Sequence, residues 1–199
     1  IQKQLKSGEF EPEGVEVVFQ GGRIDRVDTM ETDDGKLYVR VIDYKTGNTS
    51  FDLVSLYHGL QLQLMIYMDG ALTVEQNKHK DKDVIPAGVF YYNIKDPMIQ
   101  EKIDADVEAV SAGLMKELKM NGLVQADPEL VYRMDSSLGS IPVAFNKDGS
   151  FRKNSSVADR TQFAVLGRYV RTKIEKIRSS ILEGDAEVSP YELGKKNAC

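Results

Sequence analysis

The run Lys36 to Thr46, KLYVRVIDYKT, constrains this chain more than any other stretch. It is rich in β-branched and aromatic residues and apolar on both faces for most of its length, which predicts an interior strand covered on two sides. Side chains two apart on a strand share a face, so Asp43 and Lys45 point the same way as Val39 and Val41, while Tyr44 points opposite. Charge therefore stands where a buried strand leaves the core. Two such groups are costly unless they are paired or bound to an ion, which makes them functional candidates on physical grounds alone.

The flanking sequence predicts the neighbours of this strand. Gly14 to Glu31 reads as two strands with a turn or bulge at Gly21-Gly22, followed by a hairpin turn at Asp33-Asp34-Gly35. That hairpin pairs the strand carrying Asp25 antiparallel with the one carrying Asp43, so two carboxylates converge near one sheet edge. After the strand, Asp52 can cap a helix whose apolar positions Leu53, Leu56, Leu60, Leu64, Tyr67 and Ala71 step by three and four. Gln63 and Tyr67, four apart, share a face of it. A hydrophilic loop, Gln76 to Asp83, leads to a further strand, Val84 to Ile94, with Pro86 near its start as edge or entry positions allow.

Residues Asp104 to Met120 are expected to be helical. Asn121 to Arg160 is punctuated by Gly, Pro, Ser and Asp, resists assignment, and at this length is expected to be functional or partly mobile. A helix is predicted from Arg160 to Leu182, where Phe163, Leu166, Val170, Ile174, Ile177 and Ile181 recur at helical spacing and Gly184 is the stop. No internal repeat is visible, and the phosphate-loop pattern GxxxxGK[ST] is absent.

Composition excludes several classes. One cysteine, Cys199, cannot form an internal disulfide or a cysteine metal site alone, and no apolar run approaches the ~20 residues of a membrane helix. The expectation is a soluble intracellular, cytoplasmic chain. The start at Ile1 and the end on a cysteine read as cuts in a longer protein. The formal charge is −5, but it is uneven: residues 1 to 145 hold 15 basic and 24 acidic side chains (−9), residues 146 to 199 hold 11 and 7 (+4). Local patches therefore matter more than the total.

Two Asp oxygens with a backbone carbonyl and water form a hard-oxygen site suited to Mg²⁺. Such an ion lowers the pKa of a water and neutralises charge on a phosphodiester, while an ammonium orients the water or stabilises the same charge. Asp25, Asp43 and Lys45 supply these parts, and phosphodiester hydrolysis is the chemistry that needs them. On spacing alone, Gln63 either completes this site or merely caps the apolar stripe.

GRIDRVD, IDYKTG and the helix with LQLQLMIY together resemble the PD-(D/E)XK nuclease superfamily in its RecB-like branch, and most nearly the C-terminal nuclease domains of AddB-type helicase–nuclease subunits. The likeness continues through IPVAFNKDGSF, SSVAD and the last helix to PYELGKKNAC, so it covers nearly the whole chain. It implies a restriction-endonuclease-like α/β fold with a mixed sheet flanked by helices, one nuclease domain over residues 1–199, and Mg²⁺ (or Mn²⁺) dependent DNA exonuclease activity. Asp25 would be the first metal carboxylate, with Asp28 as its competitor. Asp43 and Lys45 would be the D-x-K pair, Tyr44 would offer its backbone carbonyl to the metal, and Gln63 with Tyr67 would match the QxxxY motif.

The resemblance also implies a 4Fe-4S cluster, with Cys199 the first of three clustered ligands and residues 185–199 the start of a truncated cluster segment. The family's helical histidine has no counterpart here. The implied partners are DNA and a helicase–nuclease partner subunit of the AddA type, in double-strand-break repair and recombination. Two other readings compete: a CRISPR-associated type of iron–sulfur exonuclease, and a DNA-binding scaffold with a vestigial site. His58 and His79 do not resemble a ligand pair. The basic residues Arg168, Arg171, Lys173, Lys176 and Arg178 read mostly as a solvated helix face, with a DNA-facing strip as the alternative.

Overall fold

A computed structural model describes residues 23–94 and 107–188, together with Pro190, 192–193 and 196–197. The expected first strand at 14–20, the glycine pair at 21–22, the start of the helix expected at Asp104, and Cys199 lie outside the described residues.

Strands β1 (Arg26–Glu31) and β2 (Lys36–Lys45) form the expected hairpin, antiparallel from Arg26↔Ile42 to Glu31↔Leu37. Gly35, at φ 79°, supplies the left-handed residue the turn needs. β2 then pairs in parallel with β3 (Asp83–Asn93), β3 antiparallel with β4 (Asn121–Gln125), and β4 in parallel with the short β5 (Val157–Ala158). The result is one mixed sheet in the order β1-β2-β3-β4-β5. Pro86 sits where the β2–β3 register shifts and before the β4 ladder begins at Gly88, so its missing N–H interrupts no pairing with β4.

Both faces of the sheet are covered, which explains why β2 is apolar on both faces for most of its length. Val39, Val41, Val89, Tyr91 and Leu123 pack against α2 (Gln63–Lys78) and α5 (Arg160–Leu182) through Leu64, Met65, Met68, Phe163 and Val170. On the opposite face Ile42, Phe90 and Val124 meet Val131 of α4 (Pro128–Met134) together with Ile141 and Val143. A further helix, α3 (Val107–Glu117), precedes β4.

Two expectations are corrected. The helix expected to run unbroken from Asp52 to Ala71 is two helices. Asp52 does cap α1 (Leu53–Tyr57), accepting from the amides of Val54 and Ser55. The helix then stops at His58, and Gly59 turns left-handed at φ 87° before α2 starts at Gln63. Leu53 and Leu60, placed on the buried stripe by spacing, are consequently exposed, while Leu56, Leu64 and Ala71 are buried. A Cβ at Gly59 would also lie 3.2 Å from Lys173 Cε. Gly59→Ala is expected to destabilise the protein by about 1–2 kcal/mol, the cost of a left-handed non-glycine residue, measured by urea unfolding.

The second correction concerns 121–160, which is packed structure rather than an unassigned loop. Beyond β4 and α4, the Asp135 carboxylate accepts from the amides and hydroxyls of both Ser137 and Ser140, at 2.6 to 3.0 Å. Ile141 and Val143 close the core beneath. The order here comes from side-chain-to-backbone bonds and isolated apolar residues, which leave no helical or strand period. Burial would raise the Asp135 pKa, but the Ser137 and Ser140 donors outweigh it and lower it from 3.8 to about 2. A depressed folded-state pKa adds stability above the unfolded value that is lost as pH falls through the folded one. The wild type should therefore lose stability between pH 3.8 and about 2. Asp135→Asn should lack this increment, be less stable at pH 7 and converge with the wild type at the acid end, as read by urea unfolding across pH.

At the other end α5 spans Arg160–Leu182 as predicted, with a capping box at Asp159 and Gln162. Gly184 at φ 74° ends it, its amide bonded to Ile181 O and that of Asp185 to Ser180 O.

Candidate active site

Asp43 stands on the α2 side of β2, one step beyond Val41, and is only 3% exposed. Lys45, next on that face, brings its ammonium to 2.6 Å from Asp43 Oδ2. The same ammonium donates to Gln63 Oε1 at 2.7 Å, and Gln63 Nε2 donates to Tyr67 Oη at 2.9 Å. Strand spacing of two and helix spacing of four thus join in one continuous polar line, Asp43, Lys45, Gln63, Tyr67. Gln63 opens α2, so the break at Gly59 and the restart of the helix place its amide level with the strand end. The amide can serve both neighbours only with its oxygen toward the ammonium and its nitrogen toward the phenol.

Asp25 joins from the bend just before β1. Continuing the register one step beyond Arg26↔Ile42 sets it opposite Asp43, and its Oδ2 accepts the Tyr44 amide at 3.0 Å. Lys45 O is taken by the Ile94 amide in the β2–β3 ladder. Backbone alternation therefore turns the Tyr44 carbonyl to the opposite edge, the side of Asp25. Asp28, the competitor, is on the other face of the sheet, bound to Arg26 at 2.8 Å and Arg40 at 2.6 Å. Burial would raise its pKa, but hydrogen bonds from Arg26 and Arg40 hold it below the usual carboxylate range.

Asp43 Oδ2 lies at ion-pair distance from Lys45, yet it accepts no hydrogen bond in good geometry. A buried carboxylate oxygen with its charge matched but a lone pair unused is costly, and it is a feature that an additional cation would satisfy. Among the described residues no three His, Cys, Asp or Glu side chains gather as a metal cage. Asp25 and Asp43 supply acidic oxygens at this edge among the described residues.

Three residues that motif reading missed support the site. Tyr91 is the register partner of Asp43 on β3, is buried, and lies with its ring 5.4 Å beneath the Lys45 ammonium. Burial, then Asp43 and Tyr67, push its phenol up to about 12, so it remains neutral. Asn93 and Asn121 clamp the segment from Lys45 to α1. Asn93 exchanges two bonds of 3.1 Å with the Thr49 backbone, and Asn121 donates to Thr49 O at 2.9 Å and accepts from Phe51 N at 2.6 Å. Tyr91 and Asn93 fall in the stretch Val84 to Ile94 read only as a strand, and Asn121 opens the unassigned region 121–160, so none of the three carried a signal. His58 and His79 stand apart from this site: His79 is 3.8 Å from Glu75, and His58 lies edge-on to Tyr57.

A mixed five-stranded sheet with helices on both faces and this line of residues at its edge is a restriction-endonuclease-like α/β arrangement. The sequence profile of the PD-(D/E)XK nuclease superfamily matches residues 1–199, and the chain belongs to that superfamily. Among its curated relatives are proteins named as the B subunit of an ATP-dependent helicase/deoxyribonuclease. That of Lachnoclostridium phytofermentans is 40% identical over 100% of this chain and 19% of its own length. Those of Alkaliphilus metalliredigens and Clostridium acetobutylicum are each 36% identical over the same shares. The chain thus spans about a fifth of the length of these relatives.

Proposed function

We propose that Asp25, Asp43, Lys45, Gln63 and Tyr67 form the catalytic centre of a Mg²⁺-dependent (or Mn²⁺-dependent) DNA exonuclease. The observation that carries the reading is the pairing of a buried aspartate, its Oδ2 lone pair unused, with a lysine fixed at 2.6 Å. Asp25, Asp43 and the Tyr44 carbonyl would hold the cation, a small hard-oxygen set of the kind Mg²⁺ accepts while keeping waters. When bound, the ion supplies Lewis-acid neutralisation of phosphate charge and activation of a water.

The remaining work belongs to the chain. Lys45 places a positive charge beside the scissile phosphate and orients the attacking oxygen. Gln63 Oε1 accepts a hydrogen bond from one of the three ammonium N–H groups, and Tyr67 fixes the amide, so the ammonium is held in one orientation before substrate arrives. Tyr91 offers the ammonium a ring face on its core side, which holds the charge at the strand end without engaging a further N–H group in a hydrogen bond.

Membership of the superfamily and likeness to helicase/deoxyribonuclease B subunits support DNA as substrate and a partner subunit. The resemblance read in the sequence motifs extends this to a partner of the AddA type and a cytoplasmic role in double-strand-break repair and recombination. Among the described residues no helix is long and apolar enough to cross a membrane. The iron–sulfur reading does not fit these residues by themselves: a four-thiolate 4Fe-4S cluster needs four cysteines, and Cys199 is the chain's single one. On this reading residues 1–199 are one nuclease domain, and 185–199 lead into a cluster segment whose other ligands a longer chain would supply.

The experiment is hydrolysis of end-labelled linear and internally labelled circular single-stranded DNA by the 199-residue chain with Mg²⁺. Mononucleotides or short products from the linear strand, none from the circle, and loss of all products on chelation are expected. Cleavage that persists in chelator would overturn the metal-dependent assignment.

A further inference from the structure

Beside the turn that leads into Gln63, the end of α1 and the middle of α5 enclose a groove lined by Tyr57, His58, Tyr169, Thr172, Lys173 and Lys176. Tyr57 is 60% exposed, yet it is not a loose surface ring. It stacks on Tyr169 with centroids 5.6 Å apart and planes 10° apart, and Tyr169 Oη donates to the Tyr57 carbonyl at 2.5 Å. The aliphatic stem of Lys173 packs over Gly59, where a bulkier residue would displace it. A flat, open aromatic ring is thus mounted on two helices next to two ammonium groups. Among the described residues no acidic side chain lines the groove, although the whole chain carries −5.

We propose that this groove is a binding site for single-stranded nucleic acid, in which an unpaired base stacks on Tyr57 while Lys173 and Lys176 meet the backbone phosphates. A ring face with adjacent cations matches the two features common to every nucleotide, a π face and a negative phosphate, and it selects no particular base. Apolar peptides would not use the lysines, and an acidic peptide would not use the ring. The choice of DNA as the strand rests on the nuclease reading above. The same turn continues into Gln63 at the start of α2, so the groove adjoins the segment that carries one of the proposed catalytic residues. The basic face of α5 is then divided: Arg171 is tied to Asp69 of α2, while Lys173 and Lys176 face the groove.

The test is fluorescence anisotropy of labelled oligothymidylate with the 199-residue chain in chelator, so that no cleavage occurs. Tyr57→Ala should weaken binding about tenfold, as loss of one base–aromatic stack does. Tyr57→Phe, which keeps the ring, should bind like the wild type. A Lys173→Gln/Lys176→Gln double variant should reduce the slope of log affinity against log salt by about 1.4, roughly 0.7 for each single-strand phosphate contact. A blunt duplex, whose bases are not free to stack, should not respond to Tyr57→Ala. Unchanged oligothymidylate affinity in Tyr57→Ala would overturn the proposal. A wild type that fails to cleave with Mg²⁺ while these binding differences stand would sink the nuclease reading and leave the groove intact.

Discussion

Asp43→Asn is expected to lower Mg²⁺-dependent hydrolysis of single-stranded DNA by about 10³-fold or more, the scale on which a group that stabilises transition-state charge acts. The substitution keeps the shape of the side chain at a position 3% exposed, so circular dichroism should show the fold retained. It removes the negative charge that Lys45 approaches at 2.6 Å and that, with Asp25, would hold the cation. Lys45 still has Gln63 Oε1 and the Tyr91 ring, so it need not lose its place. Single-turnover cleavage of end-labelled DNA measures the effect, and wild-type rates in the variant would remove Asp43 from the chemistry.

Gly122→Ala should cost about 3 kcal/mol or more in a urea or thermal unfolding measurement, the large end of what a single overpacking change does. A Cβ there would stand 1.9 Å from Val89 O and 2.9 Å from Phe90 Cα, both backbone atoms of the neighbouring strand that no side-chain rotation can move aside. β4 would have to separate from β3. Asn121, which clamps Thr49 and Phe51, would move with it, and so would the segment joining Lys45 to α1. A fold-stabilising contact on the far side of the sheet thereby also reaches the candidate site. A measured loss within about 0.5 kcal/mol, the range of ordinary surface substitutions, would show that the two strands are not packed this closely.

Much of the site's geometry was legible because it depends on local periods. Asp43 and Lys45 are two apart on a strand and Gln63 and Tyr67 four apart on a helix, so chain spacing alone put each pair on one face. Asp25 followed from the hairpin, whose glycine the turn requires. The break between α1 and α2 was not legible, because Leu53, Leu56, Leu60 and Leu64 keep helical spacing across Gly59, and a single glycine in such a stripe reads as tolerated rather than as a stop. Region 121–160 hid for a different reason: its hydrogen bonds run from Asp135 and the serines to nearby backbone, and such bonds leave no period. Tyr91, Asn93 and Asn121 act through partners far away in the chain, which no local pattern reports. The Tyr57–Tyr169 stack is of the same kind, one ring on each of two helices.

If Asp25 and Asp43 together hold one divalent cation beside Lys45, the protein should bind that ion without any DNA present. Titration of Mn²⁺ into the protein, with free ion read by electron paramagnetic resonance, tests this directly. One bound ion is expected in the wild type and in Asp28→Asn, whose carboxylate is committed to Arg26 and Arg40 on the opposite face. Affinity should be weaker by about tenfold or more in both Asp25→Asn and Asp43→Asn, the loss of one carboxylate from a small hard-oxygen set. Equal Mn²⁺ binding by the wild type and Asp43→Asn, or a loss confined to Asp28→Asn, would contradict the shared-cation site.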